Sequence, residues 1–442
     1  MAANRAEQKK AQEEARIIAE IEKRHGKSID QIRDEREKRI KDVIELREPD
    51  VVPVAVQTGI FAARYGGLTA SAMYYDQERF RQACKKVLLD FEPDGGSAFS
   101  STSGTIMEWF DERDYKWPGG NLPPDIPFQY VEAEYMKADE YDIFLADPSD
   151  FVIRYYLPRV YGMLAPLPKM RPLRTQIFGT GFAGLVHTLG SPEFRKIAET
   201  IAKATAEAER LGKEDAAFNA EMRRYGFPSH QRGSGITFAP FDVVSDRLRG
   251  MRGAMLDMYR CPDKLLAVCD RVMQWWTEQA QPARPDAKGN PIRVPMPLHR
   301  GSDGFMSKRQ FDTFYWPTLK KAIMTNVELG YIAAPFWEGI WDSRLEYLLE
   351  FPKAKVIFHC EKTDVFKAKE VLGNTMCIEG GVPPTLLQAG SAQEVEEHCK
   401  KLIKVVGKGG GFILSAGSAI DYAKPENIKV MVDTARKYGR YH

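Results

Sequence analysis

The sequence predicts an α/β fold in which parallel strands alternate with helices, built as a closed barrel or as a doubly wound sheet. Three observations lead there. Four short apolar runs near the carboxyl terminus each end on a polar or glycine-rich turn: Ala333-Ala334-Pro335-Phe336-Trp337 before Glu338-Gly339, Lys355-Val356-Ile357-Phe358 before His359-Cys360-Glu361, Thr375-Met376-Cys377-Ile378 before Glu379-Gly380-Gly381, and Gly411-Phe412-Ile413-Leu414 before Ser415-Ala416-Gly417-Ser418. Each run is followed by a stretch with helical spacing. The strand ends, where such folds place their chemistry, carry Glu, His, Cys and Glu.

Size and composition narrow the class. The chain has 442 residues, 43% of them hydrophobic and 28% charged, and a formal net charge of +2. These values suit a protein with a sizeable core, and a barrel with additions can be this long. A charge so near zero implies no general attraction to nucleic acid. No apolar run approaches the roughly 18–20 residues of a membrane span. Residues 1–48 are charged and lack the apolar core of a secretory signal. The six cysteines form no C-x-x-C pair and suggest no disulfide framework, so the expected setting is the cytoplasm.

In chain order, residues 5–48 predict one or two polar helices with apolar stripes at Ile17, Ile18 and Ile21 and at Ile40, Val43, Ile44 and Leu46. Ser28 and Gln31 form a capping box between them. This arm (1–48) is expected to pack on its own barrel or on a partner subunit, and the barrel to occupy 49–442. Its first strand is 51–56, with Gln57-Thr58-Gly59 as the strand-end loop. The spacing of Phe80, Ala83, Val87 and Leu88 predicts a helix over 76–90. Residues 94–127, rich in Gly, Ser and Pro and containing Trp109 and Trp117, predict a long irregular stretch, which is usually functional. Residues 130–164 read as helical and aromatic, and the alanine-rich 193–225 as a helix pair. A Gly-Arg-Asp-rich region over 241–270 contains Asp242, Asp246, Arg247, Arg249 and Asp257. The run 293–298 then leads into His299-Arg300-Gly301-Ser302-Asp303-Gly304, although its prolines make it an imperfect strand.

His359 is the strongest catalytic candidate, because it ends an apolar run beside acidic groups. Glu338 ends the preceding run with twenty residues between them, one strand-helix-strand step, so both can face one rim. Together they supply two metal ligands. Cys360 adds a third only if the strand has already turned, since neighbours in a regular strand point to opposite faces. Asp303 and His299 follow the run at 293–298 and Glu379 follows the run at 375–378; such a cluster can bind a metal, protonate a leaving group or hold a cation. No G-x-G-x-x-G, Walker-A or G-x-S-x-G motif occurs.

Several fragments resemble the uroporphyrinogen decarboxylase superfamily. They are Gly411-Phe412-Ile413-Leu414-Ser415-Ala416-Gly417, Lys424-Pro425-Glu426-Asn427-Ile428, Tyr438-Gly439-Arg440-Tyr441, Phe305-Met306-Ser307 and Phe311-Asp312-Thr313-Phe314-Tyr315-Trp316-Pro317. The resemblance runs from about residue 50 to the end and implies a (β/α)8 TIM barrel behind the helical arm. It also implies either a decarboxylase or a methyltransferase that works with a corrinoid. The decarboxylases carry an Arg-Gln-Ala-Gly-Arg motif, of which Arg81-Gln82-Ala83-Cys84 is a superficial echo; the methyltransferase branch is the better match. Many of its members hold zinc with a His-x-Cys pair and a later Cys. Here His359-Cys360 lacks the spacer and the late position reads Ser415-Ala416-Gly417-Ser418. Ether-cleaving relatives use two Glu and a His, and Glu338 with His359 matches the last spacing, while Ile323 stands where the first Glu would fall.

The implied activity is transfer of a methyl group between a small O-, N- or S-methyl compound and a corrinoid (cobalamin) carried on a partner protein. The alternatives are a decarboxylase and a catalytically inactive barrel acting as a binding subunit. Glu338 and His359 are the expected metal ligands or proton donors, with Cys360 beside them, zinc as the metal, and Asp303 and Glu379 as positioning groups. The expected partners are a corrinoid-binding protein, the small methyl donor or acceptor, and a second copy of the chain in a homodimer; neither nucleic acid nor membrane is expected.

Overall fold

A charged helical arm leads into a mixed α/β body in the computed structural model, which describes residues 2–56, 59–95, 99–177, 179, 181–228 and 234–441. The arm is two helices, α1 (Ala2–His25) and α2 (Ile29–Ile44). Lys23, Arg24 and His25 complement the carboxyl end of α1, and Ser28 caps α2 in the expected box with Gln31. Helix α3 (Gln77–Phe91) covers the span predicted over 76–90, and the Asp76 side chain caps it. Residues Gln57 and Thr58 of the expected first strand-end loop lie outside the described residues.

The middle of the chain departs from expectation. A two-residue antiparallel ribbon, β1 (Tyr115–Lys116) with β2 (Gln129–Tyr130), crosses the irregular stretch. The segment over 193–225 is a single 33-residue helix, α4 (Pro192–Arg224), rather than a pair. Its alanines and long polar side chains favour helix throughout, and Gly212 alone does not interrupt it.

Five parallel strands form the main sheet in the order β3 (Arg293–Leu298), β4 (Ile332–Trp337), β5 (Ile357–Cys360), β6 (Cys377–Val382), β7 (Phe412–Ala416). Helices α5 (Trp316–Glu328), α6 (Val365–Leu372) and α7 (Ala392–Val405) connect them, and α8 (Pro425–Tyr438) follows β7. Beyond β7 the sheet is extended by parallel bridges from Val54 to Leu414 and from Ala55 to Gly95. Strand β3 carries Pro295 and Pro297 and pairs with one strand, β4, among the described residues, so a missing N–H on its other side breaks no ladder there. No helix among the described residues is long and apolar enough to cross a membrane.

The two faces of the sheet have different fates. Val294, Met296, Leu298, Trp337, Phe358, Cys360 and Ile378 are fully or almost fully buried in the outer core, where Trp337 stacks on Phe358 and meets Trp341 edge-on. On the inner face, Ile332, Ile357, Cys377 and Ile413 pack against Ile40, Val43 and Ile44 of α2. The arm therefore seals the amino end of the inner face. Towards the carboxyl end, Pro297, Phe336, His359 and Glu379 stand side by side in register and stay partly exposed.

One buried carboxylate ties the arm to the body. Asp94, with no exposed surface, accepts from the Val54 amide at 3.0 Å and from Arg39 of α2 at 2.9 Å, and lies 2.7 Å from Arg436 of α8. Burial pushes its pKa up, but Arg436, Arg39 and Arg36 outweigh that and hold it below the usual carboxylate range.

Candidate active site at the carboxyl end of the sheet

A connected polar network surrounds His299, the first residue after β3. Its imidazole Nδ1 lies 2.5 Å from Asp246 Oδ2, and its Nε2 lies 3.8 Å from Glu338 Oε2. The His299 side chain is 32% exposed and that of Glu338 47%, so both are open to a ligand. Glu338 is reached from the neighbouring strand end, since Leu298 and Trp337 pair in register. The turn that follows needs Gly339: its φ is +84° and a Cβ there would come within 2.8 Å of the Ser302 side chain.

Asp246 arrives from a helical segment that widens into a π-helical turn over Val244–Arg249. Such insertions re-aim side chains and recur at functional sites. Four residues earlier, Asp242 is fully buried and accepts the His299 amide at 2.9 Å, the Arg300 amide at 3.1 Å and the Tyr315 hydroxyl at 2.8 Å. Asp242 thus fixes the main chain that carries His299, while Asp246 fixes the ring. Arg300 completes the brace, donating to Asp246 at 2.9 Å and to Ser245 at 2.9 Å.

The electrostatics follow from this packing. Burial of the His299 ring disfavours its charged form, but the hydrogen bond it donates to Asp246 and the charges of Asp242, Asp246 and Glu338 prevail and raise its pKa. Burial raises Asp246 too, yet His299 and Arg300 hold it below the ordinary range. Burial, with Asp246 close by, pushes Asp242 up to about 7 against the donors aimed at it. Burial also raises Glu338, where Glu361 adds to the effect and His299 opposes it. An imidazolium beside two ionised or ionisable carboxylates is a positioned proton donor with a ready route for reprotonation.

The residues singled out in the sequence divide between this network and the inner face. Glu338 belongs to the network through His299. His359 lies within β5 rather than after it; its ring meets Phe336 edge-on at 4.9 Å and its Nε2 is buried without a hydrogen-bond partner among the described residues. Glu379 is likewise within β6, opposite His359, and its carboxylate lies 4.0 Å from Arg293. Asp303 is occupied in holding the loop after β4: it accepts from the Ser343 amide at 3.0 Å and hydroxyl at 2.7 Å, and lies 3.1 Å from Arg344.

Cys360 requires a correction. Because β5 continues through it, Cys360 points away from His359 into the outer core, where it is 1% exposed and its thiol donates to the Thr363 carbonyl. Burial, with Asp342, Asp364 and Glu361 nearby, pushes that thiol up to about 12. It cannot share a metal with His359. Among the described residues no three His, Cys, Asp or Glu side chains gather closely enough to hold a metal ion, so the donors expected for zinc do not fit one. Replacing Cys360 by Ala is expected to leave turnover unchanged and to cost about 1 kcal/mol of stability, the scale of a small core truncation; chemical denaturation and rate measurement check this, and a lost rate would reinstate the thiol.

Asp242, Asp246, Tyr315 and Arg300 were in the sequence but not read as one site. The signal was the four-residue interval between the two aspartates, which puts both on one helical face.

Comparison with known proteins agrees with this architecture. Residues 231–438 match the uroporphyrinogen decarboxylase (URO-D) family model. The matched region holds all five strands of the main sheet, His299 and both aspartates. Among solved structures, a methyltransferase from Methanosarcina mazei has a similar fold, with a TM-score of 0.52, 13% sequence identity, and coverage of 91% of this chain and 98% of that one. A search of the curated proteins finds no match. The URO-D match falls on the part of the chain that carries the main sheet and the His299 network, and the Methanosarcina mazei protein shares the overall architecture.

Proposed function

We propose that the chain is a cytoplasmic methyltransferase of the corrinoid-dependent branch of this superfamily, moving a methyl group between a small methylated compound and a corrinoid cofactor carried on a partner protein. In this reading the sheet closes into a (β/α)8 barrel, with the bridges through Val54 and Ala55 as part of the ring. The observation that carries the proposal is the braced imidazole: His299 held at Nδ1 by Asp246, with Nε2 facing Glu338 at the carboxyl end of parallel strands. The similarity to a methyltransferase fold is consistent with it.

A reduced corrinoid supplies a strong cobalt nucleophile for the methyl carbon. What remains for the chain is to make the departing oxygen, nitrogen or sulfur a better leaving group. Protonated His299 does this by donating from Nε2 as the bond to the methyl carbon breaks. Asp246 keeps the ring oriented and stabilises its charge, Arg300 keeps Asp246 ionised, and Glu338 returns a proton to Nε2 afterwards. In the reverse direction the neutral imidazole accepts the proton of the acceptor.

The test mixes the purified chain with free cobalamin reduced to the cob(I) state and a panel of methyl ethers, methylamines and thioethers. Loss of the cob(I) absorbance, dependent on the chain and on one class of donor, is the expected result. Carbon dioxide release from a carboxylated compound without any methyl transfer would assign the decarboxylase activity instead.

A further inference from the structure

We propose that the inner face of the sheet is a binding site for a small carboxylate, anchored by Arg293. The side chain of Arg293 is only 15% exposed, yet its one polar partner among the described residues is Glu379, whose oxygen lies 4.0 Å from Nη1. That distance is too long for a hydrogen bond. A guanidinium carries five N–H donors in a fork, and no protein acceptor among the described residues hydrogen-bonds any of those of Arg293. Burial accordingly holds the pKa of Arg293 below the usual arginine value, with Glu379 only partly offsetting it. The edge formed by Nε and Nη2 is left free for the two oxygens of a carboxylate, the partner whose geometry matches it.

The surroundings define the rest of the ligand. Pro295, Pro297 and Phe336 present apolar surface on the same face, and all three keep some exposure although they lie within strands. Residues one position away on the opposite face have none: Val294, Met296, Leu298 and Trp337 are all 0% exposed. The inner face is therefore open where the outer face is packed. His359 adds a second polar atom in want of a partner, its buried Nε2. The site fits an acid with a flat or apolar body: its carboxylate lies towards Arg293 and its other end towards the mouth, where His299 stands. The methyl-transfer reading enters only in naming that other end; binding of the acid does not depend on it.

Calorimetric titration of the full chain, without corrinoid, tests the site. The probes are benzoate, 4-methoxybenzoate and phenylacetate, each against its neutral amide. At least one acid is expected to bind better than its amide and to lose roughly 10- to 100-fold in affinity in R293Q, the range of a charge-assisted forked contact. R293K, which keeps the charge but not the fork, is expected to lose less, and E379Q, which removes a competing anion, to bind the acid more tightly. The amide titrated into every variant, with thermal melting, shows that the variant is folded. No binding by any acid, equal binding of acid and amide, or unchanged acid affinity in folded R293Q or R293K would overturn the site. Acid binding that persists in a chain with no methyl transfer would overturn the methyltransferase reading and leave the site standing.

Discussion

Turnover in H299Q is expected to fall by roughly 100- to 10,000-fold, the usual contribution of a positioned general acid. Glutamine preserves the volume and a hydrogen bond to Asp246 but has no proton to give. The wild-type pH profile should fall on its alkaline side, because the active form is the imidazolium. Asp246, with Asp242 and Glu338, raises the His299 pKa, so that fall lies above the ordinary value of about 6.5. In D246N the largest of the raising influences is gone, and the descending limb should move to lower pH. The same proton contributes stability that is complete below the unfolded-state pKa and is lost as pH rises through the folded one. A merely structural role for His299 would destabilise the chain without moving the limb. Rates across pH in both variants decide the matter, and an unshifted limb in D246N would remove His299 from proton transfer.

The second large effect concerns the arm. D94A is expected to destabilise the chain by about 1–3 kcal/mol, since it removes a buried carboxylate that several donors share, although Arg39 keeps Asp50. Arg39 and Arg436 lose their shared partner, and the amide of Val54 loses its acceptor. The pH dependence runs opposite to that of His299. The Asp94 pKa is lowered in the fold, so its contribution is present above the unfolded value of about 3.9 and disappears as pH falls through the folded one. Denaturant melts at pH 7 and at pH 3 should show the wild-type advantage over D94A shrinking in acid. A constant difference across that range would mean that the charge of Asp94 is not what holds the arm.

Much of the architecture was legible in the sequence, for definite reasons. Four apolar runs bounded by turn residues marked β4 to β7, and the Ser28–Gln31 pair marked the start of α2. The strand ends were less legible. The apolar run Val356-Ile357-Phe358 stops at Phe358, but β5 continues through His359 and Cys360, because polar side chains can remain in a strand when one face is open. That shift of two residues sends Cys360 outward and leaves His359 on the inner face, apart from the polar network around His299. The carboxylates that govern His299 lie 53 and 57 residues before it, on an element whose π-helical turn has no reliable signature in composition. Glu338 was legible as a strand-end group, but its partner in space is His299 rather than the imidazole twenty residues on.

The plug that α2 inserts beneath the sheet has a kinetic consequence. With α2 packed on that end, a small molecule entering from the carboxyl end of the strands would use the doorway that a bulky carrier would cover. If the proposed methyl transfer to a carrier-bound corrinoid holds, loading precedes docking, and the carrier steps off before the demethylated molecule departs. Steady-state kinetics should show a compulsory order, with excess carrier inhibiting by occupying the entrance of the empty protein.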